Sequence, residues 1–203
     1  MALLHDTGSL PSPFVIRRAV PRDLPSLRDM QRRSIRELSL GFYDLHQVEA
    51  FLFYVGTVED SILHERNYYV GEVGGWIAGS GGWSLNVPPY FDGASKVPAV
   101  VREPYIPRVR SLFVHPDWVR RGVARRLMDV TETSIRANGH FEVALDATLP
   151  GVPLYEALGY RSVMPVQVRL PDGTELKFHH MRKVLPRHAG VAANDSGTWQ
   201  IGA

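Results

Sequence analysis

The sequence predicts a mixed α/β domain built around one strand–helix–strand unit, and three observations carry that reading. The chain has 203 residues, 44% of them hydrophobic and 22% charged, which suits one large domain with a proper core. Its apolar residues change period along the chain, recurring at three and four in some stretches and alternating in others. The strongest helical stretch, Gly122 to Asn138, lies between two strand-like segments, RVRSLFV and FEVALDATL.

The elements follow in order. FVIRRAV (14–20) is β-rich and reads as a first strand. Pro21, Arg22 and Asp23 form a turn and helix start, with Asp23 as the expected N-cap. Leu24, Leu27, Met30, Ile35 and Leu38 then keep helical spacing, and Leu45, Val48, Phe51 and Leu52 predict a second helical region over much of 45–66. NYYVGEVGG and WIAGSGGWSL, parted at Gly74–Gly75, predict a hairpin. A long connection (86–107) carries Pro88, Pro89, Pro98, Pro104 and Pro107, and long loops of this kind are often functional. RVRSLFV (108–114) is the next strand, closed by His115–Pro116. The helix from Gly122 places Val123, Leu127, Val130 and Ile135 near one face and stops at Asn138–Gly139. FEVALDATL (141–149) alternates as a strand should, VPLYEALG is a short helix ending at Gly159, and VMPVQVRL and ELKFHHMRKVL are strands flanking the turn Pro171-Asp172-Gly173. The order is therefore β-α-α-β-β-β-α-β-α-β-β.

Composition narrows the function. The formal charge of +2 is far below the Lys/Arg density of a dedicated nucleic-acid binder. With no cysteine, disulfides, thiolate metal sites and a cysteine nucleophile are excluded. The opening MALLHDTGSLPSP has no basic segment and only a three-residue apolar run, so no signal peptide is expected there. No apolar stretch approaches the ~18 residues that span a bilayer. The expectation is a cytoplasmic protein without a membrane partner.

Residues 118–126, WVRRGVARR, crowd four arginines around Gly122, Val123 and Ala124. Like charges repel, so this clustering implies a negative partner. A strand ending at Val114 leads into a helix whose first amides lack internal partners and whose dipole is positive at that end. Gly122 lets a ligand approach the backbone, Ala124 keeps the next position small, and Arg120, Arg121 and Arg125 surround the spot. This is an anion site suited to phosphate or pyrophosphate. A solvated, arginine-rich helix start is the competing reading of the same residues. GxxxxGK[ST] is absent and the glycines at 71–82 lie in the hairpin, so a kinase or dehydrogenase cradle is not expected.

LFVHPDWVRRGVARRLM, followed by ALDATLPGVPLYEALGY, resembles the GNAT superfamily of acyl-CoA-dependent N-acyltransferases. The likeness covers about 108–163, and the segments at 14–40 and 68–85 fit the family order. Val119 departs from the family's Gln or Arg, while Arg120 through Arg125 fit. The resemblance implies a GNAT-like acyltransferase domain over 14–186, between a flexible leader (1–13) and a flexible tail (187–203). Its fold would be a mixed, mostly antiparallel central sheet flanked by helices, with splayed strands around the cofactor cleft. It implies acetyl-CoA as cosubstrate, with the backbone of Leu112, Phe113 and Val114 pairing the pantetheine arm. Arg120, Arg121, Gly122, Val123, Ala124 and Arg125 would hold the pyrophosphate. Thr148 would stand where the family often has an asparagine at the cofactor. Tyr155 would be the acid that protonates the departing thiolate; a phenol near pKa ~10 can serve a thiol near ~8.5 at modest cost. The acceptor would be a small-molecule or peptide amine, and because relatives often pair, a homodimer is one assembly the resemblance allows.

The general base is open: Glu72 and Asp146 could each reach a cleft by strand parity, and a water relay is equally allowed. Arg108 and Arg110 stand where some relatives keep a glutamate on the strand before the loop. His179 and His180 point to opposite strand faces, and no metal-ligand spacing exists, so no metal site is expected. Trp76, Trp83, Tyr90 and Phe91 could line an acceptor pocket, although core packing or an oligomer contact suits any one of them. Two rival functions stay in view: an acyl-CoA sensor that binds without turnover, and nucleic-acid binding through the arginine cluster.

Overall fold

The structure, a computed structural model, describes residues 13–87, 101, 103, 105–187 and 198–200. Eight strands among these residues form one sheet: β1 (Phe14–Arg18), β2 (Tyr68–Val73), β3 (Trp76–Ser84), β4 (Arg108–Val114), β5 (Glu142–Thr148), β6 (Arg161–Arg169), β7 (Glu175–Val184) and β8 (Thr198–Gln200). Across the sheet they run β6-β7-β5-β4-β3-β2-β1-β8. Every neighbouring pair is antiparallel except β4 and β5, the two strands joined through a helix. Pro165, which cannot donate to a ladder, lies in the edge strand β6. Within the segment read as a tail, Thr198–Gln200 pair with β1, at Val15, Ile16 and Arg17; the first twelve residues lie outside the described ones.

Helices cover both faces. The first is α1 (Leu24–Ser39), and the short α2 (Leu45–Ala50) and α3 (Asp60–His64) follow it. On the other face lie α4 (Val123–Ala137) and α5 (Val152–Ala157). The helical region expected over much of 45–66 is there, in three pieces. One π-helical turn, Phe51–Val55, follows α2, and Gly56 then takes φ 77°, a left-handed conformation that ends the helical run. Asp23 also departs from its expected part. Its carboxylate turns back to accept from the Val20 N–H at 2.8 Å and to pair with Arg17 at 2.7 Å, so it caps the preceding 3-10 turn rather than α1.

The other punctuation follows the chain's chemistry. Gly74 and Gly75 both have positive φ and form the two-residue loop between Val73 and Trp76, the turn whose twist suits a hairpin. Helix α4 ends where Gly139 (φ 82°) donates to Arg136 O at 2.9 Å and His140 donates to Ile135 O at 3.2 Å. Two apolar layers result. Val109, Met128, Ile135, Val143 and Leu145 pack under α4, and Ile35, Val48, Val166 and Phe178 pack under α1 and α2.

Candidate functional site

The site begins with a defect in a strand. Ser111 takes φ 50°, and the β3–β4 register slips between Ser80 and Gly82, so β4 carries one extra residue there. The bulge bends β4 away from β5, whose pairing with it is confined to Arg108 and Ala144. A buried polar network holds the bend. Tyr68 Oη donates to Ser111 O at 2.8 Å, Gln31 Nε2 donates to Tyr68 Oη and Ser80 Oγ, and Gln31 Oε1 accepts from the Val58 N–H. Beyond the bulge β4 has a strand partner on one side. The His115 N–H turns to Ala78 O on β3, so by alternation the Val114 N–H faces the opened side.

That opening is a cleft of about 600 Å³. Its floor is Leu112, Phe113 and Val114, with Thr148 and Tyr155 on the far bank. Its near end is Trp118, Val119, Arg120, Gly122, Val123, Ala124 and Arg125. Gly122 is the N-cap of α4 at φ 86°, and a Cβ built on it meets nothing within 4 Å, so the backbone lies bare to the cleft. With no side chain capping the helix, its first amides are available to an anion. Arg120 also has positive φ, 63°, which wraps the chain around the helix start.

The structure therefore gathers ten of the eleven residues expected at the site around one cleft. Arg121 is the one it leaves out of the lining: its guanidinium stacks over Trp118, 5.1 Å from the ring centroid. The fourth arginine, Arg126, lies over Phe14 in the same way, at 5.6 Å. Tyr155 is 9% exposed, and its ring packs edge-on against Tyr160 with centroids 5.7 Å apart. Burial pushes the Tyr155 phenol above its ordinary value, which keeps it protonated at neutral pH. The turn closing α5 fixes its backbone, since Tyr160 N donates to Tyr155 O at 2.9 Å.

No individual residue of the opposite wall was singled out in the sequence. Ser34, Ile35 and Leu38 of α1, Tyr43, and Val48 and Phe51 further on all face the cleft. Tyr43 ties this wall down: its hydroxyl donates to Lys177 O at 2.5 Å and accepts from the Leu149 N–H at 3.1 Å. Trp83, a possible acceptor-pocket residue by sequence, is buried under α4 and donates to Ser134 Oγ, while Trp76 stands exposed at the hairpin tip. Tyr90 and Phe91 lie outside the described residues.

A second hollow of about 90 Å³ occupies the wedge where β4 and β5 part. Phe113, Thr148 and Tyr155 are shared with the larger cleft, while Glu59, Arg108, Arg110 and Asp146 are its own. Arg110 pairs with Glu59 at 3.2 Å, and Asp146 accepts from His180 at 2.8 Å. Of the two carboxylates considered as base, Glu72 lines neither hollow: it stands on β2 and is held by Arg17 of β1. His179 points the other way from His180, to Ser162 Oγ at 3.0 Å.

Comparison with known proteins agrees with this geometry. Residues 97–185 match the family described as acetyltransferase (GNAT) domain. No curated protein sequence matches the chain. Among solved structures, a GCN5-related N-acetyltransferase from Rhodopseudomonas palustris is similar at 21% identity, covering 84% of this chain and 94% of that one, with a TM-score of 0.64. PaiA N-acetyltransferase from Thermoplasma acidophilum, solved with coenzyme A, is similar at 14% identity over 84% and 98% of the two chains, TM-score 0.60. YncA from Salmonella typhimurium, solved with acetyl-CoA, is similar at 18% identity over 90% and 100%, TM-score 0.58. The chain thus has the overall fold of these N-acetyltransferases, and its residues 97–185 match a GNAT acetyltransferase domain.

Proposed function

We propose that the chain is an acetyl-CoA-dependent N-acetyltransferase that moves the acetyl group directly to an amine, both substrates being held in one cleft. The observation that carries this reading is the bare, left-handed Gly122 at the start of α4, flanked by Arg120 and Arg125. These residues fit a pyrophosphate: a Cβ at 122 would project into the space the anion needs, and the helix start supplies amides and positive potential. The parted edge of β4 fits the amide-bearing arm, which would add to the strand like another strand.

When bound, acetyl-CoA supplies an activated thioester carbonyl and a thiolate leaving group. The chain's part is then positional and electrostatic. Arg120, Arg125 and the amides of Gly122 to Arg125 hold the diphosphate end. The Val114 N–H, facing the parted side, would polarise the carbonyl where negative charge develops. Tyr155 donates its phenolic proton to the sulfur as the carbon–sulfur bond breaks. Fixing both reactants in the cleft supplies much of the rate.

Thiol release in the presence of an amine panel tests the reading. Tyr155→Phe should lower kcat by ~100-fold while leaving coenzyme A affinity nearly unchanged. An unchanged kcat removes Tyr155 from the chemistry, and coenzyme A binding without thiol release across the panel makes the protein a sensor.

A further inference from the structure

We infer that Asp146 is the group that takes the proton from the attacking amine, held in place by His180 and Arg108; the inference rests on the acetyl-transfer reading above. Asp146 lies on β5 in the small wedge beside the cleft, its side chain 4% exposed, and that wedge also includes Thr148 and Tyr155. A carboxylate and a phenol thus line one hollow, and amine acylation needs a base and an acid together.

The carboxylate's surroundings fix its direction. His180 is fully buried on β7, directly opposite Asp146 in the sheet register. Its Nε2 accepts from Arg182 Nε at 3.3 Å, so its Nδ1 carries the hydrogen and donates to Asp146 Oδ1 at 2.8 Å. Arg182 is in turn paired with Glu103 and Glu142. On the other side Arg108 Nη1 stands 4.0 Å from Oδ2, beyond hydrogen-bond reach. One oxygen thus accepts from His180, while the other is ion-paired with Arg108 and borders the wedge. Glu59, the other carboxylate there, is half-exposed and bound to Arg110.

The proton balance closes. The acceptor arrives neutral, having left one proton in water. Its nitrogen forms the new bond to the acyl carbon, and the proton it sheds goes to Asp146 Oδ2. As the carbon–sulfur bond breaks, the sulfur takes the phenolic proton of Tyr155. Water then returns the proton from Asp146 to Tyr155, so both residues end as they began. His180 and Arg108 position the carboxylate and exchange nothing.

The test uses full-length protein with acetyl-CoA and ethylamine as the probe acceptor, reading thiol release, beside calorimetry with coenzyme A. Asp146→Asn should bind coenzyme A as wild type does and lose ~100-fold in kcat, while Glu72→Gln, three strands away, keeps the rate. If Asp146→Asn fails to fold, Asp146→Glu replaces it, keeping the charge, moving the carboxylate and losing ~10-fold. His180→Ala should lose rate at unchanged coenzyme A affinity, and His180→Asn, which keeps an N–H for Oδ1, should recover it. A folded Asp146 variant within about threefold of wild type overturns the assignment. A wild-type protein that binds coenzyme A yet leaves ethylamine and the whole amine panel at their solution rates defeats the acetyl-transfer reading, and the base assignment with it. Failure of wild type to bind coenzyme A defeats the acetyl-transfer reading itself and the base assignment with it.

Discussion

Gly122 has two independent reasons to be glycine. Its φ of 86° is a conformation that costs an L-residue ~1–2 kcal/mol, and its missing Cβ leaves the space over α4 clear. Gly122→Ala should therefore lower stability by about 1 kcal/mol in a denaturant titration and weaken coenzyme A binding by ~10-fold or more. A change in stability with no change in affinity would mean the anion sits elsewhere. The sequence disclosed this residue because glycine before a helix, among arginines, has few other uses. It did not disclose that Arg121 and Arg126 stack on aromatic rings, since a guanidinium near Trp118 or Phe14 is a contact only the fold creates. Asp146 was legible only as one of two candidates. Strand parity put both carboxylates on plausible faces, and what separates them is the partner: His180 from a strand 34 residues away for one, Arg17 for the other.

Strand β4 is where local pattern and tertiary structure part company. RVRSLFV reads as a plain strand, and nothing in its composition announces the bulge at Ser111. The bend is imposed by the Gln31–Tyr68–Ser80 network beneath it, assembled from α1, β2 and β3. Replacing Gln31 by Ala leaves buried partners unsatisfied and should cost about 2–4 kcal/mol, measured by chemical denaturation. Because the same network supports the Ser111 carbonyl, coenzyme A affinity should fall as well. Loss of stability with intact binding would show that the bulge holds itself. The segment 45–64 departs from its pattern for a related reason: its apolar residues keep helical spacing, but Gly56 breaks the run and the π turn sets Phe51 against the cleft. Helix α4 and the Gly74–Gly75 hairpin were legible throughout, since their caps and turn residues are local signals.

The molecule as a whole buries several phenols, and that sets its response to alkali. Burial pushes Tyr68, Tyr155 and Tyr160 all above the ordinary tyrosine value. Each stays neutral in the fold while the unfolded chain ionises from pH ~10 upward, so the stability they support is fully present below pH ~10 and is lost as pH rises beyond it. Together the three should remove up to about 4 kcal/mol per pH unit above that point, seen as a steep fall in melting temperature between pH 10 and 11. A melting temperature flat across that range would mean these hydroxyls are already solvated. The order of elements as far as β7 was readable from periodicity and turn residues. The antiparallel arrangement and the splay rested on the resemblance, because pairing is a long-range property that no single segment carries. The pairing of Thr198–Gln200 with β1 had no local signal at all.

The diphosphate of coenzyme A should meet the start of α4, and titration calorimetry reads that directly. Coenzyme A should bind wild type with micromolar affinity, on the order of 8 kcal/mol, and 3′-dephospho-coenzyme A, which keeps the diphosphate, should retain most of it. Pantetheine, lacking the diphosphate, should bind far more weakly. Equal affinity for pantetheine and coenzyme A, or no heat from either in the folded protein, would contradict it.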